Sequence, residues 1–376
     1  MSRKDNYLDI EEAFFSNDRK FSKKERKAAS YKDRSQYKKS DQDQLKRQNT
    51  MTTSDEEDLL RGKVLAIAAD GILVDCEGTE YVCSLKGALK KDKKRIKNLV
   101  AVGDIVLFER KSHLEGSIGK IEKRNSILSR ADNLSRNKEQ LIAVNVDQVL
   151  ITCSVVSPPL KPSLIDRYII AAKKGNTEPV IVINKLDLFQ TPPPEIQTVT
   201  LEVERTLFEE LVEIYRSLHL TVVLVSATTG EGMDELRRVM HGKTSVFSGQ
   251  SGVGKSHLIS LITGQQLAVG SVVKRTQKGS HTTSTTNLIR FEPGSYCIDT
   301  PGIKSFGVWD LKREDIQTYF AEILAASSTC KFPDCSHMNE PVCGVQEAVE
   351  QGHISQLRFE SYCALMAGLE EKHINR

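Results

Sequence analysis

Residues Gly249-Gln250-Ser251-Gly252-Val253-Gly254-Lys255-Ser256 restrict what this chain can fold into more than any other stretch. Apolar Val246-Phe247 precede them, and Leu258, Leu261 and Ile262 follow at helical spacing. Strand end, Gly-rich loop and helix start, in that order, are the setting in which G-x-x-x-x-G-K-[ST] cradles phosphates. The glycines let the backbone curl so that several N–H groups point at phosphate oxygens. The helix N-terminus adds partial positive charge. Lys255 suits the β/γ-phosphates, and the Ser256 hydroxyl suits Mg²⁺. Read alone, the motif predicts a nucleoside triphosphate site without naming the base.

The chain has 376 residues, room for two or three domains that each bury a core. Its net charge of +3 hides strong asymmetry. Residues 19–47 hold 12 Lys/Arg against 4 Asp/Glu. No apolar run approaches the roughly 20 residues of a membrane span, and the N-terminus lacks the apolar core of a signal peptide. Eight cysteines in a chain with no export signal favour reduced thiols or metal ligands over disulfides. The expectation is a soluble cytoplasmic protein, monomeric and without membrane contact.

Residues 1–58 are expected to form a disordered basic arm, because Lys, Ser, Gln and Asp cannot bury enough surface to offset the entropy of ordering. Tyr7–Phe15 is the one candidate for a short helix there. From residue 59 to 128 the texture changes to short alternating runs at Lys63–Ala68, Gly71–Asp75, Glu80–Ser84, Asp104–Phe108 and Ser117–Glu122. Five short strands suggest a small barrel, with an OB fold as first choice. Lys86–Lys97 carries seven basic residues against one acidic, which favours a nucleic acid backbone as ligand. Tyr81 and Phe108 are the few aromatics available for base stacking, so shape and phosphate contacts are expected to dominate.

Residues 129–304 alternate strand and helix, the mark of a parallel α/β sheet. Strands are predicted at Asp147–Val156, Pro179–Ile183, Leu220–Val225, Val246-Phe247 and Cys297-Ile298. Helices are predicted at Ser163–Lys174, Val199–Leu218 and Gly232–Met240. Residues 305–376 read as helical segments at Lys312–Ala325, Val345–Gln351 and Ser355–His373.

The base is named by Asn184-Lys185-Leu186-Asp187, directly after a predicted strand. A carboxylate at Asp187 can accept from both N1–H and the exocyclic amine of guanine, a donor pair that adenine lacks. Leaving that charge unpaired gives discrimination on the order of 10⁴. Ser226-Ala227, after the next strand, suits a backbone contact to guanine O6. Asp299-Thr300-Pro301-Gly302 offers a carboxylate for Mg²⁺ and a glycine N–H for the γ-phosphate. Between these boxes lies the polar stretch Lys278–Thr285, where Thr282 or Thr283 is expected to complete the Mg²⁺ shell. In ordinary Ras-like enzymes the phosphate loop comes first and the guanine box last. Here the guanine boxes come first, so the chain is circularly permuted. The stretch after Gly302 consequently runs into the C-terminal domain, whose position can be tied to γ-phosphate sensing.

Cys330, Cys335, His337 and Cys343 form a C-x₄-C-x-H-x₅-C set. Three thiolates and one imidazole close the shell of a structural Zn²⁺ and leave no open position for catalysis. Cys76, Cys83, Cys153, Cys297 and Cys363 fall in strand or helix patterns and read as packing residues.

Together these motifs resemble the small ribosomal subunit biogenesis GTPase RsgA family of bacteria over residues 60–372. The resemblance rests on Asn184–Asp187, Gly249–Ser256, Gly279-x-His281-Thr282-Thr283, Asp299–Gly302 and the Cys/His spacing. It implies an N-terminal OB barrel, a permuted P-loop GTPase domain and a helical zinc-binding domain. It further implies a GTPase that binds 16S rRNA, is stimulated by the small ribosomal subunit and acts late in that subunit's maturation, converting GTP to GDP. The arm lies outside the shared pattern, and Ser284 stands where the family often has a third threonine. Ile303 follows Gly302 where a water-orienting glutamine often sits. An apolar side chain cannot orient water, so His281 is the candidate replacement. A second reading is a GTP-gated RNA-binding or translation-regulating module in which hydrolysis is incidental. A P-loop ATPase or kinase is disfavoured by Asn184–Asp187, and a large-subunit assembly GTPase by the barrel and the Cys/His domain.

Overall fold

Why the chain builds a barrel, a sheet and a helical domain in turn follows from where its apolar residues alternate. A computed structural model describes residues 59–68, 71–86, 89, 99–131, 139–265, 286–299 and 313–374. The arm, nearly all of Lys86–Lys97, the stretch Lys278–Thr285 and Thr300–Gly302 lie outside the described residues, and of Asp299 only the backbone is described.

Strands β1 (Leu60–Ile67), β2 (Ile72–Cys76), β3 (Thr79–Leu85), β4 (Ile105–Arg110) and β5 (Glu115–Ile121) close a barrel in the order β1-β2-β3-β5-β4. Strand β3 runs parallel to β5, while the other pairs are antiparallel. This is the five-stranded Greek-key arrangement of an OB fold. Period-2 alternation turns Tyr81, Cys83 and Leu85 inward and leaves Val82 and Ser84 outside. Tyr81 and Phe108 both lie in the barrel core with ring centroids 5.2 Å apart. Their rings fill the interior, so neither can stack on a base, a correction to the sequence reading.

An antiparallel ribbon, β6 (Ile127–Ala131) with β7 (Glu139–Val144), leads out of the barrel. It straddles the boundary that the sequence placed at residue 128. The central sheet then comprises β8 (Gln148–Ser154), β9 (Glu178–Asn184), β10 (Thr221–Leu224), β11 (Thr244–Ser248), β12 (Asn287–Glu292) and β13 (Ser295–Asp299). Its order is β10-β9-β8-β11-β13-β12, with only β12 antiparallel. Strands β8 and β11 are buried along their whole length, as parallel strands covered on both faces must be. On one face Ile181 and Ile183 meet α1 (Pro162–Lys174) and α2 (Thr198–Ser217). On the other, Val180 and Val182 meet α3 (Met233–Met240) and α4 (Lys255–Thr263). The predicted strands and helices of this region are all present, whereas β6, β7 and β12 add strands the sequence reading missed.

The predicted helix Lys312–Ala325 is broken. It comprises α5 (Arg313–Ile316), a 3₁₀ turn Gln317–Tyr319 and α6 (Ala321–Ser327). The break falls at Phe320, whose φ of −110° and ψ of 86° leave the helical region. There the ring turns inward onto Tyr362, edge to face at 5.6 Å. Helices α7 (Gly344–Glu350) and α8 (Gln356–Ile374) complete this unit. Its core includes Ile170 of α1, so the C-terminal helices are seated on the sheet-flanking helices. Arg358 of α8 pairs with Asp166 of α1, and also with Glu322 at 2.7 Å. Tyr215 of α2 donates its hydroxyl to Asp166 at 2.8 Å, and the Arg358 guanidinium lies 4.2 Å from the Phe320 ring centre. Burial works against charge on Arg358, but Asp166 and Glu322 outweigh it and hold the guanidinium protonated.

Removing one partner of such a pair leaves a buried, uncompensated charge, at a cost of about 3–5 kcal/mol. Arg358→Met is therefore expected to destabilise the fold by that amount in urea unfolding. A loss under about 1 kcal/mol would show that the network does not hold the C-terminal helices in place.

Candidate nucleotide and metal sites

At the phosphate loop, three backbone positions need glycine for three different reasons. Gly249 has a φ of +139°, and a Cβ there would lie 2.0 Å from the Thr152 carbonyl oxygen of β8. Gly252 turns at +84° beside Pro158. Gly254, at +96°, caps α4, and a Cβ there would lie 2.4 Å from Asn184 Nδ2. Gln250 and Ser251 complete the turn, Val253 is fully buried beneath it, and Ser256 is exposed in the first turn of α4. The loop curls around the Lys255 ammonium, which donates to the carbonyls of Gly249 at 2.7 Å and Gln250 at 2.5 Å.

The guanine box reaches this loop through one side chain. Asn184 ends β9 at 1 % exposure. Its Nδ2 donates to the Val253 carbonyl at 2.8 Å, and its Oδ1 accepts from the Ala227 N–H at 3.1 Å. One carboxamide thus ties together the phosphate loop and both guanine boxes. Ser226-Ala227 is expected to offer a backbone contact to guanine O6, and of that pair the Ala227 N–H donates here to Asn184. Ser226 donates its hydroxyl to Asp187 Oδ1 at 2.6 Å and accepts from the Thr229 N–H at 3.1 Å, which fixes the carboxylate's orientation. Lys185 takes a left-handed φ of 67° and donates its Nζ to the Ser157 carbonyl. Partial burial lowers its pKa, with Asp187 opposing. Sequence reasoning found these residues but not the Asn184 brace or the Ser157 contact, since neither loop spacing nor residue type encodes them.

The residues assigned to the attacking water (His281), to Mg²⁺ (Thr282 or Thr283) and to the γ-phosphate (Gly302) fall outside the described residues, as does the side chain of Asp299, also assigned to Mg²⁺.

Cys330, Cys335, His337 and Cys343 bring their ligand atoms within 4.8 Å of one another. Cys330 and Cys343 place their sulfurs 3.9 Å apart, and His337 Nδ1 lies 3.5 Å and 3.4 Å from them. A tetrahedron with Zn–S near ~2.3 Å and Zn–N near ~2.0 Å has edges of about 3.8 Å and 3.5 Å. The donor set therefore fits zinc in both chemistry and spacing. His337 Nε2 is 3.2 Å from Gln317 Oε1, so a proton on Nε2 leaves the Nδ1 lone pair facing the thiols. Burial lowers the imidazole's pKa, which keeps it a neutral donor, and pushes the Cys335 thiol up to about 12. Glu340 folds the knuckle by accepting from the N–H groups of Ser336, Met338 and Asn339. The Ser336 hydroxyl and the N–H groups of Ser336, Glu340 and Asn339 outweigh its burial and hold its carboxyl down at about 2. Gln317 and Glu340 escaped the sequence reading. Of the two, Glu340 left a signal, a carboxylate inside the Cys/His loop. Cys83, Cys153 and Cys297 are buried in the barrel and the sheet, as packing residues should be.

A family model described as RsgA GTPase matches residues 121–309. The small ribosomal subunit biogenesis GTPase RsgA of Chlorobaculum parvum is 41 % identical over 283 residues, covering 73 % of this chain and 86 % of the relative. The chain belongs to the RsgA GTPase family. It is accordingly a GTP-hydrolysing enzyme. Its RsgA relative in Chlorobaculum tepidum is 37 % identical over 319 residues, covering 80 % of this chain and 98 % of the relative. Among solved structures, YjeQ from Thermotoga maritima superposes with a TM-score of 0.64 at 32 % identity, over 83 % of this chain and 98 % of that one. YloQ, described as a circularly permuted GTPase, gives 0.63 at 26 % identity, over 86 % and 99 %. The permuted order of boxes read from the sequence is thus the order of this RsgA-type fold.

Replacing Gly254 by Ala forces a Cβ onto the Asn184 amide and strains a left-handed backbone. Gly254→Ala is expected to weaken binding of a fluorescent GDP analogue by about 5-fold or more, from about 1–3 kcal/mol of strain, while far-UV circular dichroism stays unchanged. Wild-type affinity in the variant would mean that the brace does not govern the loop.

Proposed function

We propose that this chain is a GTPase that binds the small ribosomal subunit through its 16S rRNA and assists that subunit's late maturation, with turnover stimulated by the subunit. The observation that carries the reading is the Asn184 brace. It joins a carboxylate suited to guanine and a phosphate loop at one site, in a family whose curated relatives carry the name small ribosomal subunit biogenesis GTPase. In this account the exposed face of the barrel, its basic loop and the arm hold RNA phosphates. GTP favours the docked state, and hydrolysis to GDP releases the protein. No helix among the described residues is long and apolar enough to cross a membrane. We infer a cytoplasmic, monomeric factor.

Asp187 reads the guanine N1–H and exocyclic amine, with Ser226 holding the carboxylate in place. The N–H groups of Gly249–Ser256 and the Lys255 ammonium take the phosphates. Ser256 and Asp299, joined by Thr282 or Thr283, would hold Mg²⁺, which when bound neutralises phosphate charge. Gly302 would meet the γ-phosphate. Since Ile303 cannot orient water, His281 takes that role when the subunit is docked. Zn²⁺ would be held by Cys330, Cys335, His337 and Cys343 and would serve folding alone.

GTP turnover titrated with purified ribosomal subunits of each size tests the reading. Strong stimulation by small subunits and none by large ones is expected. Lys255→Ala should abolish the turnover, and His281→Ala should abolish the stimulation while leaving GTP affinity intact. Equal basal turnover with and without subunits would favour instead a GTP-gated RNA-binding module in which hydrolysis is incidental. Metal analysis of the purified chain should find one zinc per chain, lost in Cys343→Ser; a chain that folds and carries no metal would refute the zinc site.

A further inference from the structure

The barrel meets the central sheet at the β12–β13 hairpin and also, through Leu65 and Val102, in the sheet's own hydrophobic core. Arg290 of β12 and Tyr296 of β13 face each other in register across the two strands. Both reach the same barrel residue, Asp75 at the end of β2. The Tyr296 hydroxyl donates to Asp75 Oδ2 at 2.6 Å, and Arg290 Nη1 lies 3.6 Å from Asp75 Oδ1. The Asp75 side chain is only 3 % exposed, and it also accepts from the Gly78 N–H at 2.9 Å, so the carboxylate is held from both sides. Lys63 of β1 closes the contact by lying 4.6 Å over the Tyr296 ring while donating to Thr244 Oγ1. Burial raises the Tyr296 hydroxyl's pKa to about 12, with Asp75 adding to it, so it stays a donor at physiological pH.

The barrel's second attachment is short and close to the chain's own path. Val144 donates its N–H to the Val102 carbonyl at 2.9 Å, and Asn145 Nδ2 donates to the Gly103 carbonyl at 3.0 Å. A Cβ on Gly103 would lie 2.0 Å from the Val144 oxygen, so the two backbones meet at a point. Beside it Leu65 and Val102 are buried in the sheet's core, so the barrel is seated there and held by a polar clasp at the hairpin.

The C-terminal helices are attached elsewhere. Arg358 and Ile170 bind them to α1 and α2, which flank β8 and β9 in the half of the sheet that ends in the guanine box. The hairpin that the barrel grips is continuous, beyond Asn287, with the polar stretch carrying Thr282 and Thr283. At its other end Asp299 leads directly into Thr300–Gly302. We propose that the barrel, and not the metal-binding domain, is the part of the molecule whose position follows the bound nucleotide, through the Asp75–Tyr296–Arg290 clasp on this hairpin. The inference rests on the reading that GTP seats at Gly249–Ser256 with its γ-phosphate near Gly302. It differs from the coupling expected from chain order, which ran through the C-terminal domain. In the proposed function, this clasp is how loss of the γ-phosphate loosens the barrel's hold on RNA.

Hydrogen–deuterium exchange on the full-length chain, with GDP and with a slowly hydrolysed GTP analogue, tests this without ribosomes. Between the two nucleotides, exchange is expected to change together in β2 and in β12–β13, by about tenfold or more as befits a charged hydrogen bond. Exchange in α8 should not change. Tyr296→Phe keeps the ring under Lys63 and removes only the hydroxyl. It should retain the hairpin's response and nucleotide affinity but lose the response of β2. Asp75→Asn, which keeps an acceptor for the Gly78 N–H, should behave the same way if Tyr296→Phe folds poorly. A hairpin that responds while wild-type β2 does not overturns the proposal and leaves the nucleotide site standing. So does an α8 response as large as that of β2, or a β2 response that survives both substitutions. Silence in both the hairpin and Gly249–Ser256 overturns the nucleotide reading itself, and this proposal with it.

Discussion

The Asn184 carboxamide is the contact on which the nucleotide site depends. Three loops leave the sheet at the ends of β9, β10 and β11, and each would be free to wander without a cross-link. Asn184 supplies it by donating to Val253 and accepting from Ala227, in a spot too buried for water to substitute. A buried polar group left without a partner costs about 1–3 kcal/mol, so the three loops hold one another in place. The cross-link also explains a sequence feature that the phosphate cradle alone does not. Gly254 must lack a Cβ because the Asn184 amide occupies that space, in addition to any need for backbone freedom. The stretches assigned to base recognition and to phosphate binding are therefore a single structural unit, although they lie 65 residues apart, from Asn184 to Gly249.

The sheet divides into two functional halves around that unit. Strands β8, β9 and β10 carry the stretches assigned to guanine and, through α1 and α2, the C-terminal helices with their Cys/His cluster. Strands β13 and β12 carry the stretches assigned to the γ-phosphate and, through Asp75, the barrel. Circular permutation makes this division possible. Opening the chain before the guanine boxes lets an N-terminal barrel feed into β8, and lets a C-terminal domain leave after β13 and fold back onto α1. The buried Asp166–Arg358–Glu322 network then decides where that domain rests. Such a network gives little net stability but penalises alternative placements heavily. The barrel is thus clasped to one half of the sheet and the C-terminal helices are locked to the other.

What the sequence made legible follows from how local the signals are. The strands β8 and β9 are near-continuous apolar runs because both faces are covered, and they stood out as such. The phosphate-loop glycines, Asp187 and the Cys/His set were legible because their chemistry demands particular residue types at fixed spacing. Strand β12 was missed because Asn287-Leu288-Ile289-Arg290-Phe291-Glu292 is an edge strand, and its polar residues serve the barrel contact. The break at Phe320 was hidden because a helical period runs through it, and only packing against Tyr362 turns the chain there. Tyr81 and Phe108 looked available for RNA because composition cannot say which face of a strand points inward. The Asn184 brace, the Gln317 contact to His337 and the Asp75 clasp each join residues far apart in the chain. No pattern within a window reveals such pairs.

The central claim, that one carboxamide unites the guanine box and the phosphate loop, is tested most directly by nucleotide competition in Asn184→Ala. Displacement of a fluorescent GDP analogue by GDP, and separately by ribose 5-triphosphate, which has no base, reports the two functions independently. The account predicts that both competitors weaken, each by about 5-fold or more, since loss of the buried hydrogen bonds costs about 1–3 kcal/mol. A variant that binds GDP more weakly yet holds ribose 5-triphosphate as tightly as the wild type would contradict it. The guanine box and the phosphate loop would then be separate neighbours.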